Sequence, residues 1–128
     1  MTKRVLAALF AAAALGACSS EPMRKVQEFF QPSKGAESLK AGLKQYEDGA
    51  YADSLKNLLG ALQQGLSEGE RVTAHKHLAF IHCVSNRQRQ CRDEFRNALA
   101  VDPALELEPA ERDHPNWGPV FKAVKAGR

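Results

Sequence analysis

Two stretches of the chain, YEDGAYADSLKNLLGALQQGL (46–66) and CVSNRQRQCRDEFRNALAVDP (83–103), align at a constant offset of 37 residues. Gly49 meets Asn86, Tyr51 meets Gln88, Leu58 meets Phe95, Ala61 meets Ala98 and Leu62 meets Leu99. A unit that recurs at such a period cannot bury its apolar face alone, so consecutive units have to stack. The apolar spacing inside each unit is helical. Leu39, Leu43 and Tyr46 fall at i, i+4, i+7 before Asp48-Gly49-Ala50 breaks the run, and Tyr51, Leu55, Leu58, Leu59 and Leu62 carry a second stripe that ends at Gly65. The LSEGE stretch reads as a loop. Val72, Leu78, Ala79, Ile81 and Val84 then mark a third helix stopping near Asn86. Phe95, Ala98, Leu99 and Val101 mark a fourth, stopped at Asp102-Pro103 because the residue before proline disfavours the helical region. A chain of 128 residues with 44% hydrophobic content supports one modest core.

These units resemble the tetratricopeptide repeat, whose usual period is about 34, with three extra residues accommodated at GLSEGE. Gly42 and Ala79 stand at the small position of the first helix in each unit, and Ser54 and Cys91 at that of the second. Small residues there let paired helices approach closely. The first unit departs from the repeat pattern at Leu66, where a proline is expected. Ser38 and His75 replace the usual large aromatic. Two units bury little surface, so a capping element is required. NWGPVFKAVKAG (116–127) fits, with Trp117, Val120, Phe121 and Val124 on one face. Trp117 reads as the core anchor of that cap, with ligand contact as the alternative. The expectation is an all-α domain over 36–128: two tetratricopeptide-like hairpins and a C-terminal capping helix.

Ahead of this domain the chain reads as an export signal. Lys3 and Arg4 precede eleven apolar residues from Val5 to Leu15. Eleven residues in a helix span roughly 16 Å, about half the hydrocarbon core of a bilayer, too short for a crossing. Leu15-Gly16-Ala17-Cys18 resembles a bacterial lipobox. The resemblance implies removal of residues 1–17, acylation of Cys18 and attachment of the mature chain to a membrane, each buried methylene being worth roughly 0.8 kcal/mol. Ser19 stands where an inner-membrane retention signal would resemble Asp, so the expected site is the outer membrane, facing the periplasm. Residues 18–35, with Pro22, Pro32 and Gly35, read as the lipidated N-terminus and a tether, with one helical turn at Val26 to Phe30. Phe29 and Phe30 are read as capping the core, with contact to a partner or the lipid surface as the alternative.

The remaining chemistry is sparse. In an export compartment Cys83 and Cys91, on either side of the turn VSNRQRQ, are expected to pair as a disulfide, the alternative being two buried thiols. His75, His77, His82 and His114 show no metal-ligand spacing, no Gly-rich phosphate loop is present, and no nucleophile arrangement stands out, so neither catalysis, cofactor nor metal is expected. The net charge of +3 leaves no footprint for nucleic acid. Arg89, Arg92 and Arg96 follow i, i+3, i+7 along the fourth helix with Arg87 just before it, partly offset by Asp93 and Glu94. Such a row is either a solvated face or a docking surface for an acidic partner segment or anionic envelope material.

Residues 74–121 carry a more particular resemblance. The histidine-rich third helix, the cysteines around the turn, CRDEFRNAL, ELEPAE and HPNWGPVF together resemble the small tetratricopeptide lipoproteins of type VI secretion, the TssQ family. The resemblance implies an accessory lipoprotein that binds protein partners of a secretion-system envelope complex, and it brings no catalytic residues. Pilotin-like lipoproteins that assist a secretin or pilus share parts of the pattern. A small periplasmic enzyme or metal-binding protein is the reading from another class.

Overall fold

The computed structural model describes residues 31–127. The expected signal peptide, Cys18, Phe29, Phe30 and the helical turn at 26–30 lie outside the described residues. Those described form an all-helical fold of six helices without strands: α1 (Ala36–Glu47), α2 (Tyr51–Gln64), α3 (Glu68–Val84), α4 (Gln88–Val101), α5 (Pro109–Arg112) and α6 (Gly118–Ala126).

α1 packs against α2 and α3 against α4, and both pairs turn in the same way. Each connection is three residues long, 48–50 and 85–87. Its middle residue is left-handed, Gly49 at φ +76° and Asn86 at φ +60°. Glycine enters that region without a Cβ penalty, and asparagine is among the few other residues that tolerate it. The hydrogen bonds repeat at the same offset. Gly49 N–H donates to Tyr46 O and Ala50 N–H to Gln45 O, as Asn86 N–H does to Cys83 O and Arg87 N–H to His82 O. The inward residues of the second helices coincide too: Ser54, Leu58 and Ala61 in α2, Cys91, Phe95 and Ala98 in α4. The 37-residue offset is thus a property of backbone and packing alike.

Two expectations need correction. LSEGE is not a loop. Glu68, Gly69 and Glu70 form the first turn of α3, which Ser67 opens as N-cap: its hydroxyl accepts from Glu70 N–H, and the Glu70 carboxylate accepts from Ser67 N–H at 2.8 Å. This capping box satisfies two of the orphan donors at a helix start. α3 thus has 17 residues against 12 in α1 and is extended at its start, since both helices end at the same repeat position. The domain also begins before residue 36. Gly35 is buried, and its N–H donates to Gly65 O at 2.9 Å. A Cβ there would collide with the Ala61 carbonyl oxygen. The neighbouring Ser33 and Ser67 hold the Glu70 carboxyl below its ordinary range.

α3 is the central element. Ala74, Leu78 and Ile81 join Leu39, Leu58 and Ala61 in one apolar cluster, while Ala79, Phe80 and Cys83 join Cys91, Phe95, Leu99 and the C-terminal residues in a second. Tyr46 borders both. Burying a side chain such as Leu58 or Phe95 is worth roughly 1.5 to 3 kcal/mol, so α3 is held from two sides. The cap closes the second cluster: Trp117, Phe121 and Val124 are buried, and Val120 packs beside them. Leu107, only 5% exposed, belongs to the same cluster, and α5, with a capping box between Glu108 and Glu111, precedes the cap. Neither was expected from the sequence.

Gly118 marks the tightest approach in this cap, because a Cβ there would collide with the Arg112 carbonyl oxygen. Gly69, in the first turn of α3, has open space around it. Gly118→Ala should lower the melting temperature by several degrees, from overpacking worth about 1 to 3 kcal/mol. Gly69→Ala should leave it unchanged or raise it, since alanine is favoured over glycine in a helix by up to about 1 kcal/mol. Thermal unfolding followed by circular dichroism distinguishes the pair.

Candidate functional site

α4 has two distinct faces. Cys91, Phe95, Ala98 and Leu99 point inward and are fully buried, whereas Arg89, Arg92 and Arg96 are exposed. The four arginines singled out in the sequence do not act as one group. Arg87 caps the turn, is half-buried and donates from Nε to His82 Nδ1 at 2.8 Å. Arg96 pairs with Asp93 at 2.9 Å in an exposed ion pair. No ion pair to Arg89 or Arg92 occurs among the described residues. Of the two acids expected to offset the row, only Asp93 does so. Glu94 turns toward α3 and meets His75 Nδ1 at 2.6 Å, both side chains largely covered. The exposed face of α4 therefore carries three guanidinium groups and one carboxylate.

The turn that positions this face is closed covalently. Cys83, the last but one residue of α3, and Cys91, in the first turn of α4, form a disulfide with Cα atoms 5.1 Å apart. Both are buried in the second cluster. The equivalent positions in the first pair are Tyr46 and Ser54. There the Ser54 hydroxyl donates to Gly42 O at 2.7 Å, so a buried hydrogen bond pins the first pair where a disulfide pins the second.

A chain of aromatic contacts runs from the first helix pair to the cap. Tyr46 lies between Tyr51 and His77, with ring centroids 5.8 and 5.0 Å away, and His77 reaches Phe80 at 5.5 Å. Phe80 stacks on Trp117 at 4.3 Å, and Trp117 on His114 at 3.4 Å. Trp117 is thus a core anchor, 7% exposed, and its indole N–H donates to Glu111 O at 2.7 Å. Glu111 in turn accepts from Lys76 at 2.9 Å, both partly buried, fastening α5 to α3. Burial pushes the Tyr46 hydroxyl up to about 12. It holds His77 below its ordinary 6.5, with the ring donating from Nδ1 to Thr73 O at 2.8 Å. His82 is lowered by burial and by neighbouring Arg87. Each histidine has its own neighbour, and no three metal-ligating side chains gather among the described residues.

A groove of about 810 Å³ lies between α6 and the segment before it, with Leu107 and Phe121 on its floor and His114, Pro119 and Lys122 on its walls. Its lining is shared between α6 and the segment that joins α4 to α6, which the sequence reading did not bring together as a groove. Comparison of the chain with protein-family models, curated proteins and solved structures gives no match.

Two outcomes follow from this geometry. Replacing both Cys83 and Cys91 by alanine should cost roughly 2 to 3 kcal/mol, the loop-closure entropy of so short a ring, measured by urea unfolding. Histidines kept neutral by the fold bind a proton more readily once unfolded. The stability they contribute is complete above the ordinary value of 6.5 and is lost as pH falls through their lower folded-state values. The melting temperature should drop between about pH 7 and 5, and His77→Gln should flatten that drop; an unchanged slope in the variant would contradict the assignment.

Proposed function

We propose that the protein is a lipid-anchored adaptor of the bacterial envelope, held by acyl chains on Cys18 at the outer membrane and facing the periplasm, and that it works by binding protein. The observation that carries this reading is the division of α4. Its inner face is locked into the core and tied to α3 by Cys83–Cys91, and its outer face offers arginines that the fold leaves available. A charged face on a rigid backbone suits recognition, because little backbone freedom is left to lose on binding. The lipobox resemblance supports the location. No helix among the described residues is long and apolar enough to cross a membrane, and in this reading attachment rests on Cys18. The resemblance of residues 74–121 to TssQ lipoproteins supports an accessory role beside a type VI secretion complex. Catalysis has no part in the proposal.

Two measurements test it. Cys18→Ala should move the protein from the membrane to the soluble or unprocessed fraction in cell fractionation, because the acyl chains would no longer form. Affinity capture from crosslinked envelopes should recover subunits of a type VI membrane complex. Recovery of a secretin instead would assign the pilotin-like role, and recovery of no envelope protein would contradict the adaptor reading.

A further inference from the structure

We infer that the row Arg89, Arg92, Arg96 on α4 docks an acidic segment of a protein partner, with Arg89 and Arg92 as the principal contacts. The inference rests on the adaptor reading and specifies the chemistry of its partner. Three observations carry it.

The first is the repeat register. Because Ser54, Leu58 and Ala61 occupy the inward positions of α2 that Cys91, Phe95 and Ala98 occupy in α4, residues 52, 55 and 59 are the counterparts of 89, 92 and 96. The first unit places Ala52, Leu55 and Leu59 there, Leu55 packed against the first apolar cluster and Ala52 and Leu59 exposed. The same helix face is thus built without charge in one unit and with three cations in the other. Packing does not require the arginines.

The second is local electrostatics. The first turn of α4 has no acidic residue and no side-chain cap, and Arg89 is its second residue. A helix start carries partial positive charge, so cations there are disfavoured and anions favoured. α3 shows the usual arrangement, with Glu68 and Glu70 in its first turn. The charge on α4 opposes its own helix dipole, and an incoming carboxylate relieves both the dipole and the guanidinium repulsion.

The third is shape. Spacing of i, i+3, i+7 puts the guanidinium groups in a row roughly 10 Å long on one helix edge, one side chain wide, with the Asp93 carboxylate beside it. A line of carboxylates along one edge of a helix or extended segment matches this row and can engage each arginine fork in two hydrogen bonds. A plane of lipid phosphates would press on Asp93 as well. Arg87, committed to His82, lies outside the docking row.

The test uses the full chain in neutral detergent. The probe is a fluorescent alanine-based helical peptide with three glutamates on one edge, and the control is the same composition with the glutamates spread around the helix. The edge peptide should bind more tightly than the control and weaken as salt is raised beyond the screening of about 0.15 M. Arg89→Glu with Arg92→Glu should weaken it by at least roughly tenfold, and so should Arg92→Leu with Arg96→Leu, which copies the first unit and keeps the fold intact by circular dichroism. Arg87→Ala should leave binding unchanged. Equal binding of the two peptides, absence of binding, or indifference to both double variants would overturn the inference. Bicelles doped with phosphatidylglycerol form the other arm. If the charge reversal releases the chain from them while peptide binding stays the same, the row faces lipid and the inference fails. In envelope capture, an Arg89→Glu, Arg92→Glu chain that retains the wild-type partner removes the docking row but leaves the adaptor reading standing. Loss of all partners by the wild type removes the adaptor reading itself.

Discussion

Gly42 brings the first helix pair into close contact: a Cβ there would stand 2.8 Å from Leu58 Cδ2, and the Ser54 hydroxyl donates to the Gly42 carbonyl. In the second pair Ala79 and Cys91 hold the same places, and the disulfide to Cys83 takes over from the hydrogen bond. Close approach of two helices, fixed by a three-residue turn with a left-handed centre, is the condition for everything downstream. It sets the rotation of α4 about its axis, which decides that Phe95 and Leu99 enter the core and that Arg89, Arg92 and Arg96 stay outside. It also leaves α3 with apolar residues on two sides, so that the second pair can bury against the first and against the cap.

Much of this was legible in the residues. Helical spacing located the four long helices, the 37-residue offset aligned their turns, and Trp117, Phe121 and Val124 identified the cap. The misread parts have physical reasons. Gly69 and a cluster of polar residues suggested a loop, yet Ser67 and Glu70 carry the S-x-x-E signature of a capping box just ahead of Val72. Gly35 looked like linker because a glycine's role as a contact point depends on what lies above it, here the Ala61 carbonyl. Leu107, with Leu105 beside it, lies in a short irregular stretch too brief for a period to mark a core residue.

The candidate face was legible only in outline. Spacing along a helix reveals which arginines share an edge, but it does not reveal their partners across space. His82 claims Arg87 because the left-handed Asn86 folds the chain back, and His75 draws Glu94 away from the row. Both events depend on the α3–α4 packing: one takes a cation out of the row and the other a carboxylate, so the exposed edge keeps the balance of a linear count but gathers it on Arg89, Arg92, Arg96 and Asp93. In the proposed reading fold and recognition are thereby separated: the core fixes the helix, and the helix presents charges that the core does not use.

Site-specific photocrosslinking in intact cells tests this separation most directly. A photoreactive side chain at Asn97, exposed on α4 next to Arg96, should crosslink to an envelope protein. The same group at Gln63, exposed on α2, should not. Crosslinks from Gln63 with none from Asn97 would show that the partner reads a different face and would contradict the assignment of recognition to α4.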